Sequence, residues 1–429
     1  MQAVYGKFLQ SMKSIRGVHR GGSVAVALSG GVDSMVLLNL LVRYRHEVDK
    51  DVKIHAITVD HGIRPESSDE AKAVAATVSD YDIKHSILRI KEVINKQQLE
   101  KHARELRYKL LYDYCEKHDI NDVFMGHHED DQVETFTMRL MKGSTLFGLL
   151  GIRDVQMGNL NGIHKIDILR PLLGIRKSEL YGYAKLVGVK WFEDSSNGDE
   201  SLTARNAFRG MISKDISLRE ELVDLHGRLV KVFADTVYAR MEELDKNGID
   251  SLSGICVDEK FDAGKIELRI NVTVPKGVSM TSVEGMILNR WLFNKVWRVS
   301  PHKRYLYEFT KFDSLYSIVG VVANGGGKSI VDTILGTVDG GKKKFTIVGC
   351  EFLCKRVGEC VIVNVRREKP HRHFKGDERI NVVVPKGNYS ELIDGRFFLK
   401  GPINVEIEPF SRDFGNLKNL MNVKREIFM

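Results

Sequence analysis

The sequence predicts an α/β protein, with a doubly wound, mostly parallel sheet followed by a helical linker and an α+β C-terminal region. Three observations carry that expectation. Strand-like apolar runs alternate with helix-like segments over the first two hundred residues, the order of a parallel sheet wrapped by helices. The first run, Val24–Leu28, passes through a glycine turn straight into an apolar helix that runs to Leu41. From about residue 213 the alternation stops, and short β-like runs follow a long charged helix.

The first element, VAVAL, reads as a buried parallel strand, and the chain enters Ser29-Gly30-Gly31-Val32-Asp33-Ser34 without a spacer. Strand, glycine turn and helix start in that order form an anion site. Glycine lets the backbone approach an oxyanion, and the helix N-terminus aims unpaired N–H groups at it. The hydroxyls of Ser29 and Ser34 add donors. No lysine follows the glycines, so the spacing is not that of a Walker loop. An ordinary glycine-rich βα turn is the bland alternative.

Val52–Asp60 is expected as a second strand, ending in Asp60-His61-Gly62-Ile63-Arg64. Asp60, His61 and Arg64, grouped past a strand end, suit contact with a nucleotide or substrate. A helix over Ser68–Asp80 and a third strand over Lys84–Ile90 follow. Gln97–His118 is the next helix, where Arg104 and Arg107 lie three apart on one face, ready for phosphates. The fourth strand, Asp122–Gly126, leads into His127-His128-Glu129-Asp130-Asp131-Gln132-Val133-Glu134. Here a helix opens on clustered acids, with Asp130 and Glu134 one turn apart. Acids complement a helix N-terminus, but three in a row with two histidines exceed capping, and the cluster suits Mg²⁺ or a substrate ammonium. Every such segment falls at the carboxyl end of a strand, where open α/β sheets bind ligands.

These segments resemble the PP-loop ATP-pyrophosphatase superfamily and, within it, the tRNA(Ile)-lysidine synthetase family. The resemblance rests on SGGVDS, VDHGIRPES, HARELRY, GHHEDDQVETFTMRLMKGSTLFGLLGI, Arg170-Pro-Leu-Leu173, Trp191-x-Glu193-Asp194 and Thr203-Ala-Arg205-Asn206-Ala-Phe-Arg209 in that order. Ala204 departs from the T-R-N-x-x-R spacing of the family. The resemblance covers roughly residues 20–212 and implies that ATP adenylates the C2 carbonyl oxygen of the wobble cytidine of a CAU-anticodon isoleucine tRNA, releasing pyrophosphate. The ε-amine of free L-lysine then displaces AMP. It implies that Ser29, Gly30, Gly31, Val32, Asp33 and Ser34 hold the pyrophosphate, with Asp60 and His61 at the nucleotide. Asp33, with Asp130 or Asp131, would hold Mg²⁺ or the lysine ammonium, the metal pair being Asp33 and Asp131. His127 would serve the attacking amine, Arg104 and Arg107 a phosphate or the lysine carboxylate, and Glu134, Arg64, Arg205 and Arg209 the substrate and tRNA side.

The chain is too long for one core, so three regions are expected: 1–212 catalytic, 213–330 a helical linker and tRNA-binding domain, and 331–429 a small α+β tRNA-binding domain. Asp215–Gly248 has the spacing of a long helix, and another is expected over Thr281–Val296. RINVTVPKG (Arg269–Gly277) returns as RINVVVPKG (Arg379–Gly387), eight of nine positions matching. Lys342-Lys343-Lys344 and the stretch Val365–Gly376 concentrate bases suited to an RNA backbone. The net charge of +8, from 65 basic and 57 acidic residues, favours a polyanionic partner.

Five cysteines at 115, 256, 350, 354 and 360, with no C-x-x-C pair, point to a reducing compartment and away from a thiol relay. Cys350, Cys354 and Cys360 fit no common zinc spacing and are expected as thiols in strands. The acid-free first twenty residues read either as a transit peptide or as a helix with Phe8, Leu9, Met12 and Ile15 inward, the second being favoured. No apolar run nears the roughly 18 residues of a membrane span, so no membrane association is expected. A bacterial cytoplasm is the expected location, with an organelle matrix (mitochondrial or plastid) as alternative and a homodimer as one possible assembly. Two rival functions stand beside the main one. A tRNA 2-thiocytidine sulfurtransferase would want the paired cysteines that this chain lacks, and a non-catalytic RNA-binding protein would not need the intact Ser29, Asp33 and Ser34.

Overall fold

The computed structural model describes residues 2–15, 22–62, 67–90, 99–144, 146–157, 166–192, 208, 210, 212, 214–252, 254–262, 267–274, 283–296, 299, 337, 340–347, 350–367, 380–384, 390–393, 397–400 and 403–407. It divides into two compact units. The first comprises Met1–Met141, Leu150–Leu160 and His164–His226, and the second Lys142–Leu149, Asn161–Ile163 and Gly227–Met429.

The first unit is built on a six-stranded sheet of order β3-β2-β1-β4-β6-β5. Its strands are β1 (Ser23–Leu28), β2 (Lys53–Asp60), β3 (Lys84–Arg89), β4 (Asp122–Phe124), β5 (Val155–Met157) and β6 (Asp167–Leu169). All neighbours pair parallel except β5 on β6. The helices are α1 (Gln2–Ser14), α2 (Val32–Glu47), α3 (Ser67–Val78), α4 (Leu99–Lys117), α5 (Glu129–Met141), α6 (Leu146–Leu149), assigned to the second unit, and α7 (Lys177–Val187). The expected doubly wound sheet is therefore present.

Period-two alternation explains the layers. Val24, Val26 and Leu28 of β1 enter a core with Phe8 of α1, Met35 and Leu38 of α2 and Leu180 of α7. Ala25, between them, enters a second core with Ile57, Val123, Ile168 and Leu111, Tyr114 and Cys115 of α4. Helix α2 is buried along most of its length because it is apolar on every side. The first residues form a helix, with Val4, Tyr5, Phe8 and Met12 buried, as the helical spacing predicts.

The expected helix over Asp215–Gly248 is realised as α8 (Ile216–Val232), a π-helical stretch Phe233–Tyr238 and α9 (Ala239–Asn247), ended by Gly248 at φ 68°. The division between units falls within α8. The second unit also holds α10 (Val283–Val296) and an antiparallel sheet of order β10-β11-β12-β9-β8-β7. These strands are β7 (Ile249–Asp250), β8 (Ile255–Asp262), β9 (Glu267–Thr273), β10 (Lys342–Ile347), β11 (Cys350–Val357) and β12 (Cys360–Arg367). Because β9 pairs with β12, one sheet joins strands from both sides of residue 330. Leu268, Ile270, Val272, Phe352, Val361, Val363 and Val365 make its buried face. Cys350 and Cys354 lie on that face and are buried, and burial pushes the Cys354 thiol up to about 11. Both copies of the nine-residue repeat begin as strands: β9, and β13 (Ile380–Val384), which pairs with β16 (Ile403–Ile407). The remaining hairpin is β14 (Ser390–Ile393) with β15 (Phe397–Lys400). Among the described residues no helix is long and apolar enough to cross a membrane.

Candidate active site

The order of strands reverses between β1 and β4, so the segments leaving their carboxyl ends flank the crevice where such sheets bind ligands. The β1 segment is Ser29–Ser34. Gly30 sits at φ 86°, and a Cβ there would lie 2.7 Å from Val74 Cγ2. Both the conformation and the space demand glycine. The turn is preformed by its own serines. Ser34 Oγ donates to the Gly31 carbonyl at 3.0 Å, the Ser29 N–H donates to Ser34 Oγ at 3.2 Å, and the two hydroxyl oxygens lie 3.2 Å apart. Phe192 N–H caps the Gly30 carbonyl at 3.0 Å, which brings the Trp191 motif against the loop.

The β4 segment passes directly over the first turn of α2. A Cβ on Gly126 would lie 3.0 Å from both the carbonyl carbon of Asp33 and the Ser34 nitrogen. That approach brings His128 to Asp33. The His128 Nε2 is 3.5 Å from Asp33 Oδ2 and 3.5 Å from Asp131 Oδ2, and the His128 backbone N–H donates to Asp131 Oδ2 at 3.0 Å. Burial works against charge on His128, but the hydrogen bond to Asp33 and the fields of Asp131, Asp33 and Asp130 outweigh it and raise its pKa.

The acids of α5 are largely neutralised within the unit. Asp130 accepts the Lys177 N–H at 2.7 Å and Arg219 Nε at 3.1 Å; burial alone would raise its pKa, and these partners lower it. Glu129 faces Arg176 at 3.6 Å and Arg219 at 3.5 Å. Asp33 Oδ2 faces Lys177 Nζ at 3.7 Å, while its Oδ1 is buried with no hydrogen-bond partner among the described residues. Arg176, Lys177 and Arg219 had no role in the sequence reading. A lysine at a helix start and an arginine among many charges look like solvated surface until the fold aims them.

His127 lives in the opposite field. Arg170, 3% exposed, donates from Nε to His127 Nδ1 at 3.1 Å, from Nη1 to the Arg153 carbonyl and from Nη2 to Gln156 Oε1, both at 2.9 Å. Burial first, then the charges of Arg170, Arg104, Arg107 and His128, pull the His127 pKa down to about 3. With Nδ1 accepting, the proton of the neutral ring resides on Nε2. His127 is therefore a hydrogen-bond donor at neutral pH and not a base. Arg104 reaches this cluster while stacking 5.1 Å over Tyr108, and Arg107 lies 5.9 Å from the same ring.

Two expected positions, Asp60 and Glu134, are more enclosed than the sequence implies. Asp60 is 2% exposed and spends its carboxylate internally. Oδ1 accepts Gly62 N–H at 3.0 Å and Ser67 Oγ at 2.7 Å; Oδ2 accepts Ser68 Oγ at 2.7 Å and Arg89 Nε at 3.0 Å. Burial opposes the charge, yet these donors hold the pKa well below the usual carboxylate range. A carboxylate so saturated orders the β2–α3 turn and has no edge left for a nucleotide. Glu134 is buried, although it shares a helix with the partly exposed Asp130. Pairing of Asp130 with Arg219 turns it toward α8. His61 is described beside Asp60, whereas Arg64, Arg205 and Arg209 lie outside the described residues.

Residues 3–216 match the family model ATP_bind_3, described as a PP-loop domain. That half of the chain is a PP-loop domain. The chain is 44% identical over 177 residues to the tRNA(Ile)-lysidine synthase of Wolbachia pipientis wMel, covering 41% of this chain and 40% of that protein. It is 34% identical over 211 residues to the tRNA(Ile)-lysidine synthase of Rickettsia rickettsii (strain Sheila Smith), covering 49% and 42%. The match thus spans less than half the length of these curated relatives. Among solved structures, the U34-tRNA thiolase NcsA from Methanococcus maripaludis superposes with a TM-score of 0.41 at 18% identity, covering 54% of this chain and 80% of that one. The Ser29–Ser34 turn lies within the family match, which ends at the start of α8, three residues before Arg219.

Proposed function

We propose that the chain is an ATP-dependent ligase that joins free L-lysine to C2 of the wobble cytidine of the isoleucine tRNA with a CAU anticodon. The observation that carries this is the preformed Ser29–Ser34 loop at the strand-order reversal, opposed by the His127–Asp131 segment of β4. The likeness to lysidine synthases supports the choice of substrate.

In the first step the cytidine O2 attacks the α-phosphorus of ATP. The α–β bridging bond breaks, and its electron pair leaves on pyrophosphate. N–H donors and hydroxyls of the loop would stabilise that leaving charge without rearranging. In the second step the neutral lysine Nζ attacks C2, AMP departs with the former carbonyl oxygen, and the amine loses a proton. Neutral His127, with Nε2–H, would donate to an oxygen that gains charge; Arg104 and Arg107 would meet a phosphate or the lysine carboxylate. The role of base falls to a group other than His127.

Mg²⁺ fits this site. Asp33 has an unpartnered buried oxygen, and Asp33 and Asp131 converge on one imidazole nitrogen. No group of three His, Cys, Asp or Glu among the described residues is arranged to hold a metal by itself. Mg²⁺ at a nucleotide is commonly held by one or two carboxylates together with substrate phosphates, the role Asp33 and Asp131 would take. When bound, it would neutralise phosphate charge.

The second unit suits a nucleic-acid backbone on one face of its sheet. Lys342, Lys344, Lys355, Arg366, Arg269 and Lys260 outnumber Glu351, Glu267, Asp258 and Asp262 on the face opposite the buried valines, although Lys344 and Arg269 are paired there with Glu351 and Glu267. Mass analysis of the wobble nucleoside after incubation with tRNA, lysine and ATP is the decisive test. Lysidine should form, and Asp33→Ala should cut pyrophosphate release by about 100-fold or more. Activity of that variant within about threefold of wild type would remove Asp33 from the mechanism.

A further inference from the structure

The PP-loop lacks the lysine that a Walker loop carries, yet its own Asp33 sits in the first turn of α2, where it would repel a phosphate. The fold brings a cation to that spot from α7. Lys177 Nζ is 3.7 Å from Asp33 Oδ2 and 5.9 Å from the Tyr181 ring centroid, and its side chain is 37% exposed. The separation is too long for a hydrogen bond. Lys7 and Lys295 instead reach their carboxylates at 2.8 Å. The Lys177 ammonium is thus held by field at the loop, and among the described residues no acceptor lies within hydrogen-bond distance of its three N–H donors. A part-exposed pair at this distance contributes little to stability, so packing does not account for it.

We propose that Lys177 is a phosphate-binding side chain of this site, reaching the loop from α7 to bind the leaving pyrophosphate alongside an ion held by Asp33 and Asp131. Its backbone N–H fixes the residue to Asp130 at 2.7 Å, and its ammonium offsets Asp33, so the loop can accept a polyanion. The inference rests on reading the site as one that releases pyrophosphate. It sharpens that reading by naming a side chain that helps balance the charge.

The test uses the full chain and inorganic pyrophosphate as probe, with binding measured by calorimetry. Lys177→Ala should weaken pyrophosphate binding by 10-fold or more and slow pyrophosphate release by about 100-fold. Lys177→Arg should restore most of the binding. The KM for lysine should stay within about threefold, and unchanged melting curves would exclude a folding defect. Equal pyrophosphate affinity in wild type and Lys177→Ala, or a rise in the lysine KM alone, would overturn the proposal. If wild type modifies no tRNA while pyrophosphate binding still depends on Lys177, the proposed function fails and the Lys177 assignment stands.

Discussion

The imidazoles of His127 and His128 are adjacent in the chain and sit in opposite fields. Arg170, Arg104 and Arg107 surround the first, and Asp33, Asp130 and Asp131 the second. They should titrate far apart when followed by NMR of the ring nitrogens. His127 should remain neutral with its proton on Nε2 down to about pH 3. His128 should carry its proton to a pH above the ordinary value of about 6.5. The signs for stability follow from linkage. His128, with a raised folded pKa, contributes stability below about 6.5 that is lost as pH rises through its folded value. His127 has the opposite sign: the unfolded chain takes up a proton that the native site refuses, so stability falls as pH drops from about 6.5. Coincident titration of the two rings would refute the assigned environments. The sequence showed two histidines before an acidic run. It did not show that Arg170, 43 residues onward, would take up the Nδ1 of the first.

At the scale of elements, the site depends on two backbones meeting: the exit of β4 and the first turn of α2. Gly126 is the contact, since any Cβ would press on the Asp33 and Ser34 backbone at 3.0 Å. Gly126→Ala should cost about 1–3 kcal/mol as overpacking, and should lower activity more than that cost suggests, because the displaced segment carries His127 and His128. The check is a melt beside a pyrophosphate-release assay; a variant as active as wild type would show that the approach is not needed. The first four strands, the helices α1 to α5 and the long helix after 213 are legible in the sequence because their apolar periods are local, whereas β5, β6, α6 and α7 are not. The strand pairings were legible only as a class. The antiparallel β5 beside β6 and the π-helical turn in the long helix had no local signal.

At the scale of the whole molecule, the PP-loop domain needs residues beyond its expected end at 212. Arg219 binds Asp130 and Glu129, and His226 meets the Leu150 carbonyl at 3.1 Å and packs 5.2 Å from the Phe136 ring. A chain ended at 215 should therefore melt lower than one ended at 232 and should lose its ATP-dependent rise in Tm, while both should lose tRNA affinity. Equal melting of the two would show that α8 is dispensable to the domain. The sequence by itself determined the α/β class, the PP-loop and the cluster after β4, because strand period, glycine demand and motif order are local properties of the chain. Only the tertiary structure decided how the charges balance. It turned Asp60 inward onto four donors, set Arg170 on His127, and brought Lys177 and Arg219 to the acids. Those assignments depend on distances between residues up to 144 positions apart, since Lys177 meets Asp33, and the chain acquires such distances only when the sheet closes.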